Sequence, residues 1–196
     1  MKKVILGLVL LMLMASPGWA LILLDFEGIT NTYWHSGGNT NLGGYYSGVY
    51  FGADATILVD GVDLNSYGYP PHSGDAVLFS STIPTIRMDF TGGFVNYVET
   101  WFSSYSTFYM EAYNSSDVLL GNISSPATFD GTNPGSNALL SLSSSSFDIA
   151  YVEFHDAGDY YTLDDIAFNP VPEPGTLMLL GTGLLGLGAF RFRRKK

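Results

Sequence analysis

The chain has 196 residues and carries 18 acidic against 8 basic side chains, which gives a formal net charge of −10 at pH 7. This length is enough for one domain with a sizeable core. The acidic balance excludes binding to a nucleic-acid backbone, because like charges repel. The sequence contains no cysteine, so disulfides and thiolate metal sites are excluded as well.

The first 20 residues have the pattern of a secretory signal peptide. Two lysines form a positive start, Val4 to Met14 form an apolar run, and Gly18 and Ala20 place small residues at positions −3 and −1 of a cleavage site. We expect this segment to be recognised by the Sec translocon and removed by signal peptidase after Ala20.

The charges of the remaining chain are distributed unevenly. Between residues 21 and 170 the only Lys or Arg is Arg87, whereas every acid except Glu173 lies in that region. The other basic residues stand at the two chain ends. The central region therefore carries a net charge of about −16 and attracts divalent cations rather than phosphates.

The central region, residues 21–170, has the pattern of an all-β domain. Short runs rich in Val, Ile, Phe, Tyr and Thr alternate with clusters of Gly, Asn, Ser and Pro, and no window shows an extended apolar period of 3.6 residues. We predict one domain, a jelly-roll-like β-sandwich of two sheets. Its predicted strands are Leu21–Glu27, Gly48–Phe51, Thr56–Val59, Ala76–Ser80, Thr85–Phe90, Tyr97–Ser103, Phe108–Tyr113, Val118–Ile123, Ala138–Leu142, Asp148–His155 and Thr162–Phe168.

Acidic residues at both ends of this domain predict a calcium site. Asp25 and Glu27 lie two residues apart, on one face of the first predicted strand, and Asp164 and Asp165 lie on the last. The first and last strands of a jelly roll often lie close together, and Ca²⁺ prefers carboxylate and carbonyl oxygens. The alternative is that these acids cap strand ends and face solvent.

Several stretches of the domain carry a resemblance to known proteins. The order and spacing of its strand-like segments are similar to those of the jelly-roll domains of exported bacterial proteins and carbohydrate-binding modules. The segments that carry this resemblance are Leu24–Gly28, Phe108–Tyr113, Val118–Gly121, Ile149–Phe154 and Tyr161–Phe168. The resemblance implies the fold. It also implies a polysaccharide ligand and a structural calcium held by acids at the two chain ends.

Aromatic residues at or near the predicted loops are candidates for a glycan-binding surface, because aromatic faces stack on sugar rings. We predict that Trp34 and Trp101 form the ligand platform. The alternative is that these aromatic rings fill the core or shield strand edges. The loop tyrosines with the same potential are Tyr45, Tyr46, Tyr67, Tyr69, Tyr105, Tyr160 and Tyr161.

The sequence offers little for catalysis. The three histidines are not at metal-ligand spacing, and no nucleophile elbow or phosphate-binding glycine loop is present. A glycosidase needs only two carboxylates, so Glu99, Glu111 and Glu153 on predicted strands remain an alternative, although solvent-facing strand positions explain each of them better. We predict no catalytic residues and no enzymatic activity.

The last 26 residues have three parts in a fixed order. Val171-Pro172-Glu173-Pro174 comes first and excludes regular structure through its two prolines. The uncharged segment Gly175–Phe190 follows, and a basic cluster ends the chain at Lys196. Such a segment predicts a short transmembrane helix in the inner membrane, with its basic end in the cytoplasm.

This tail resembles the PEP-CTERM sorting signal of exported bacterial proteins, which is also called the ice-binding protein C-terminal domain. The resemblance rests on Val171–Pro174, the Gly-rich apolar segment and Arg191–Arg194. It implies cutting near Val171, Pro172, Glu173 and Pro174 by an exosortase-type membrane protease. It implies no ice-binding activity.

Together these features predict an exported protein that is transiently anchored in the inner membrane and then reaches the cell surface or extracellular matrix. Its expected function is to bind glycan or to act as a structural component of an exopolysaccharide matrix, without catalysis. One alternative is a carbohydrate-active enzyme with a carboxylate pair. The other is a homophilic adhesin, which would show a flat Thr/Ser/Asn face or an exposed apolar patch.

Overall fold

The computed structural model describes residues 21–29, 42–52, 55–80, 84–158 and 160–170, together with Gly181 and Gly183, which have helical backbone. The predicted signal peptide (residues 1–20), Trp34, the sorting motif Val171–Pro174 and the rest of the predicted C-terminal helix lie outside the described residues. Among those that are described, no helix is both long and apolar enough to cross a membrane.

The described residues between positions 21 and 170 form eleven β-strands and no helix, which confirms the all-β prediction. Each strand overlaps one predicted from the sequence. The strands are β1 (Ile22–Leu24), β2 (Val49–Phe51), β3 (Ala55–Val59), β4 (Ala76–Ser80), β5 (Thr85–Phe90), β6 (Val95–Ser104), β7 (Phe108–Tyr113), β8 (Leu119–Ser125), β9 (Ala138–Ser143), β10 (Tyr151–His155) and β11 (Tyr161–Pro170).

These strands build two antiparallel sheets that pack face to face. Sheet A has the order β3-β4-β11-β6-β9, and β1 also pairs with β11; sheet B has the order β2-β5-β10-β7-β8. From β4 onward, the chain changes sheet at every connection except the β7–β8 hairpin. This arrangement confirms the predicted jelly-roll-like sandwich.

A period of two residues separates the core from the outer faces. On β5, Ile86, Met88 and Phe90 are buried between the sheets, while Arg87 and Asp89 alternate with them and face outward. The other central strands follow the same rule, since an antiparallel sheet with one buried face alternates apolar and polar residues. The outer faces are therefore open to display polar and aromatic groups.

Aromatic residues connect the two sheets through the core. Phe102 of sheet A stacks on Phe108 of sheet B, with ring centroids 4.4 Å apart. The Tyr161 hydroxyl donates to the Phe154 carbonyl at 2.8 Å and accepts from the Ile86 N–H at 3.1 Å. This buried hydroxyl thereby satisfies both of its hydrogen-bonding roles and ties β11 to two strands of the facing sheet.

The first strand is shorter than the sequence predicted. It ends at Leu24 because Phe26, which is fully buried, adopts a left-handed conformation (φ 60°) that leaves the strand geometry. Asp25 and Glu27 consequently lie in the turn after β1, and their predicted placement on one face of a strand was wrong. The predicted proximity of the first and last strands is confirmed, since β1 pairs with β11.

Candidate functional site

Loops at one end of the sandwich surround an open cavity of about 510 Å³, which we call the loop-end cleft. The cleft lies between the β6–β7 turn at Tyr105 and the long β8–β9 loop of residues 126–137. Its lining residues are Tyr105, Ala127, Thr128, Phe129, Asp130, Asn133 and Pro134. A concave site with aromatic and polar groups is the usual form of a small-ligand site.

Three tyrosines contact Phe129 at this cleft, and a fourth contacts one of them. The Phe129 ring lies edge-on to Tyr67, Tyr69 and Tyr105, with centroid distances of 6.4, 5.6 and 5.7 Å. Tyr105 in turn contacts Tyr160 at 6.3 Å. Tyr67, Tyr105 and Tyr160 are each at least half exposed, at 53%, 50% and 59%. The structure thus brings together tyrosines that the sequence placed near loops, and adds Phe129, which the sequence analysis missed.

Backbone contacts between two loops hold this cluster in place. The Gly135 N–H donates to the Tyr67 carbonyl at 2.8 Å, and the Tyr67 hydroxyl donates to the Thr132 carbonyl at 3.0 Å. A Cβ atom on Gly135 would lie 1.9 Å from the Gly68 carbonyl oxygen. Only glycine permits such an approach, so Gly135 fixes how closely the two loops meet.

A buried carboxylate positions the turn that carries Tyr160. Asp156 accepts hydrogen bonds from the Ser106 hydroxyl at 2.8 Å, from the Gly158 N–H at 2.9 Å and from the Tyr160 N–H at 3.3 Å. Ser106 follows Tyr105 directly, so one carboxylate connects the segments of both exposed tyrosines. Such charge-assisted bonds are stronger than neutral ones, which indicates a rigid cleft wall.

The rim of the cleft contributes an ionised acceptor. The Asp130 carboxylate accepts from the backbone N–H groups of Thr132 and Asn133 at 2.8 and 2.9 Å, and from both of their side chains. These hydrogen bonds, the Asn133 N–H first, hold the pKa of Asp130 well below its usual range. By contrast, burial raises the pKa of Tyr69 to about 12, so its hydroxyl remains protonated.

The outer face of sheet B carries a second set of aromatic and charged side chains. Tyr113 stacks on Tyr151 at a centroid distance of 4.9 Å, and Tyr109 stacks on His155 at 5.1 Å. The Arg87 guanidinium lies 3.6 Å from the centre of the Tyr151 ring and donates a hydrogen bond to Asp89, two residues further along β5. The aromatic rings of this face pack on one another and on Arg87.

Two of the three candidate catalytic acids meet on this face. Glu111 of β7 and Glu153 of β10 are direct partners in the strand register. Glu111 accepts from the Tyr113 hydroxyl at 2.6 Å. Glu99 lies on β6 in sheet A, where it accepts from the Tyr97 hydroxyl. Of the three candidate catalytic acids, only Glu111 and Glu153 are therefore placed as a pair.

Three of the four acids predicted to bind calcium lie around one segment, residues 72–76, which leads into β4. Asp164 accepts from the N–H groups of His72 and Ser73 at 2.7 and 2.9 Å. Asp165 accepts from the Ser73 hydroxyl at 3.0 Å and pairs with the His72 ring at 2.7 Å. These residues sit at a bulge of β11, where its neighbour changes from β4 to β1. We call this group the acidic junction.

The other predicted calcium ligands hold nearby turns. Glu27 accepts from the N–H groups of Asp75 and Ala76 at 3.1 Å each, while Asp25 accepts from the Glu27 N–H at 3.3 Å. Three of the four acids are thus brought to the same segment, and the carboxylate of each accepts hydrogen bonds from it. Within the described part of the chain, no group of three or more His, Asp or Glu is arranged to hold a metal ion.

Burial dominates the electrostatics of the acidic junction. Asp164 is only 2% exposed, and this desolvation, with the nearby charge of Asp165, raises the pKa of Asp164 to about 6. Burial likewise raises the pKa of Glu27. Asp164 is thus poised to change charge near neutral pH.

The indole of Trp101 is already in contact with this junction. The His72 ring lies flat against it, with a centroid distance of 3.8 Å and an interplanar angle of 7°. One face of the indole is therefore covered by a side chain that is itself held by Asp165. The platform of Trp34 and Trp101 stays a prediction, and Trp34 lies outside the described residues.

Comparison with solved structures gives distant similarities. The K2 cleaved adhesin domain of Lys-gingipain is 15% identical, with a TM-score of 0.49, over 78% of this chain and 99% of that one. The K1 domain of the same protein from Porphyromonas gingivalis W83 is 12% identical, with a TM-score of 0.47 and the same coverage. The carbohydrate-binding module CsCBM6-3 from Clostridium stercorarium, solved with cellobiose, is 13% identical, with a TM-score of 0.38, over 64% of this chain and 88% of that one.

Sequence comparison is informative at the C-terminus. No curated protein matches the chain. A family model described as the PEP-CTERM protein-sorting motif matches residues 170–195. The chain therefore ends in a PEP-CTERM sorting motif, and the protein is exported and processed at the membrane.

Proposed function

We propose that the exported domain binds a neutral polysaccharide in the loop-end cleft. The observation that carries this proposal is the half-exposed Tyr105 in the wall of the cavity, next to Phe129. Two further exposed tyrosines extend this wall, because Tyr67 contacts Phe129 and Tyr160 contacts Tyr105. Tyrosine faces stack on sugar rings and bury area at low entropic cost. The Asp130 carboxylate accepts hydrogen bonds from sugar hydroxyls at the rim.

The charge of the domain selects the class of glycan. Residues 21–170 carry a net charge of about −16, and Asp130 adds an ionised group at the cleft itself. An acidic polysaccharide would be repelled by this field, whereas a neutral one is not affected. The ligand class is therefore a neutral, hydroxyl-rich chain.

The route of the protein supports an extracellular ligand. As part of the proposal, residues 1–20 direct the chain to the Sec translocon and are removed by signal peptidase. The C-terminal helix then holds the domain at the inner membrane until an exosortase-type protease acts. The released domain meets its polysaccharide at the cell surface or in the extracellular matrix.

Replacing Tyr105 and Tyr160 together with Ala is expected to weaken polysaccharide binding by about 10-fold or more. Each stacked ring contributes about 1 kcal/mol, and two rings are lost. Binding of the processed protein to a panel of neutral and acidic glycans, by array and then by calorimetry, measures the effect. The matched control is Tyr50→Ala, which removes a tyrosine of similar exposure from the outer face of sheet B.

Three results would contradict this proposal. Unchanged binding in the double variant would exclude the cleft, and a loss confined to Tyr50→Ala would transfer the site to sheet B. Release of reducing sugar that Glu111→Gln abolishes would establish an enzyme instead of a binding domain, because this carboxylate is paired with Glu153 in register.

Replacing Pro172, Glu173 and Pro174 with alanine is expected to leave the full-length protein in the membrane fraction. The two prolines of the motif favour an extended backbone, which is the form in which a protease binds its substrate. Immunoblotting of membrane and released fractions gives the result. Pro126→Ala, at an exposed proline in the domain, serves as the control. Normal release of the triple variant would exclude the motif as the processing signal.

A further inference from the structure

One side of the sandwich is almost free of charge. From Val118 to Phe147 the only charged residue is Asp130, although the domain as a whole is strongly acidic. This stretch supplies strands β8 and β9, which are edge strands of sheet B and sheet A. The two strands also contact each other, so both edges lie on the same side of the molecule. We call this side, formed by β8, β9 and Val118, the uncharged flank.

Strand β8 lies at an edge of sheet B. β8 pairs with β7, and no further strand pairs with it among the described residues. Exposed edges are normally blocked by charged residues, by proline or by short length, because they otherwise recruit other strands. The seven residues of β8 include no charge and no proline. The opposite edge of sheet B differs, since β2 has only three residues.

Aliphatic side chains lie exposed on the same flank. Val118, just before β8, is 54% exposed, and Leu119 and Ile123 on β8 are 46% and 37% exposed. On β9, Leu139 is 46% exposed. Single exposed aliphatic residues are common, but a group next to an open strand edge marks an interaction site. Serine and asparagine fill the other exposed positions of β8.

We propose that the uncharged flank binds a second copy of this chain, with β8 pairing antiparallel to its counterpart across a two-fold axis. Two copies of an acidic domain repel each other through every charged surface, and the flank itself carries no charge on β8 or β9, with Asp117 before β8 and Asp130 between the two strands. Self-pairing also satisfies the open backbone edge and brings Leu119 and Ile123, on the two faces of β8, next to the paired strand. The two five-stranded B sheets thereby become one ten-stranded sheet.

This inference is independent of the proposed glycan site. The flank lies on β8 and β9, whereas the cleft is built from the loops beyond them. A dimer carries two clefts, so it also provides the avidity needed for a weakly bound polymer.

The test is sedimentation equilibrium of the processed protein over a wide concentration range, at low and at high salt. We expect a monomer–dimer equilibrium that strengthens with salt, because ions screen the repulsion between acidic domains. Replacing Leu119 and Ile123 with Lys should weaken dimerisation by at least about 10-fold. Val62→Lys adds the same type of charge at an exposed apolar site elsewhere and should leave it unchanged.

A monomer at all concentrations and salt levels would overturn the proposal. A dimer that the β8 variants leave intact would also overturn it, because the interface would lie elsewhere. Thermal melting of each variant checks folding. If the double variant unfolds, the single change Val118→Lys, in the exposed turn before β8, decides the question by the same measurement.

Discussion

Raising the pH from 5 to 8 in metal-free buffer is expected to lower the free energy of unfolding by about 1.5 kcal/mol. The cause is Asp164, whose pKa is raised to about 6 by burial in the acidic junction. A shift of about two units corresponds to about 3 kcal/mol at a pH below both pKa values, and about half of this remains at pH 5, one unit below the folded pKa. Most proteins gain stability as carboxylates ionise, so this direction is diagnostic.

The sign follows from proton binding in the two states. Between the unfolded pKa of about 3.8 and the folded pKa of about 6, the folded protein keeps a proton that the unfolded chain releases. Folding is therefore favoured at low pH, and this stability is lost as the pH rises through 6. Asp130 acts in the opposite direction, because its pKa is lowered, but only below the pH range considered.

Urea denaturation in EDTA at pH 5, 6, 7 and 8 measures the effect. Asp164→Asn should remove most of the pH dependence, and a smaller slope should remain because burial also raises the pKa of Glu27. Asp60→Asn, at an exposed acid, should keep the wild-type slope. An equal slope in the wild type and in Asp164→Asn would show that this carboxylate is not the titrating group.

The same two proteins test the predicted calcium site. Calcium bound only by the folded state would raise the denaturation midpoint of the wild type at pH 7 and not that of Asp164→Asn. No change in either protein would leave Asp25, Glu27, Asp164 and Asp165 with the roles that the structure shows, as acceptors for turn and loop donors.

The change Gly135→Ala is expected to cost about 1–3 kcal/mol of stability and to abolish polysaccharide binding. Its Cβ would lie 1.9 Å from the Gly68 carbonyl oxygen, so the two loops must separate. Separation breaks the hydrogen bond from the Gly135 N–H to Tyr67 and moves Tyr67 away from Phe129. The loss of binding therefore exceeds what the stability change alone would cause.

Thermal melting and glycan calorimetry measure the two effects separately. Gly44→Ala is the matched control, because the added Cβ would make an ordinary contact of 3.9 Å with Tyr50 in an exposed turn. If Gly135→Ala retains wild-type affinity, the close approach of the two loops is not needed for the cleft. A fully unfolded variant would be recognised by its melting curve, and Gly68→Ala, which meets the Phe129 ring at 2.8 Å, then gives a milder test.

The strands could be predicted from the sequence because their signals are local. Alternating residues such as Ile86, Arg87 and Met88, bounded by turn residues, define a strand without reference to the rest of the chain. The end of β1 could not be predicted in this way. It depends on burial of Phe26 and on the hydrogen bond from its N–H to the Tyr46 hydroxyl, 20 residues away.

The candidate site was predictable only in part. The tyrosines near loops were visible in the sequence, but their convergence depends on loops that are distant along the chain. Phe129 lies among Gly, Pro, Ser and Asn residues, whose order shows neither the period of a strand nor that of a helix. Glu111 and Glu153 share a face through strand pairing across 42 positions, and His72 covers Trp101 through an equally non-local contact. Such pairings are properties of the fold rather than of any window of sequence.

The position of β11 has a consequence for the order of folding during export. This strand lies inside sheet A, between β6 on one side and β4 and β1 on the other, yet its residues, Tyr161–Pro170, are the last before the sorting motif. The sheet cannot close until the end of the domain has crossed the membrane. Pairing between the first and last strands gives a long loop to close, which makes folding slow. The sorting tail follows immediately, so the proposed retention at the membrane would give this last, central strand time to insert before processing.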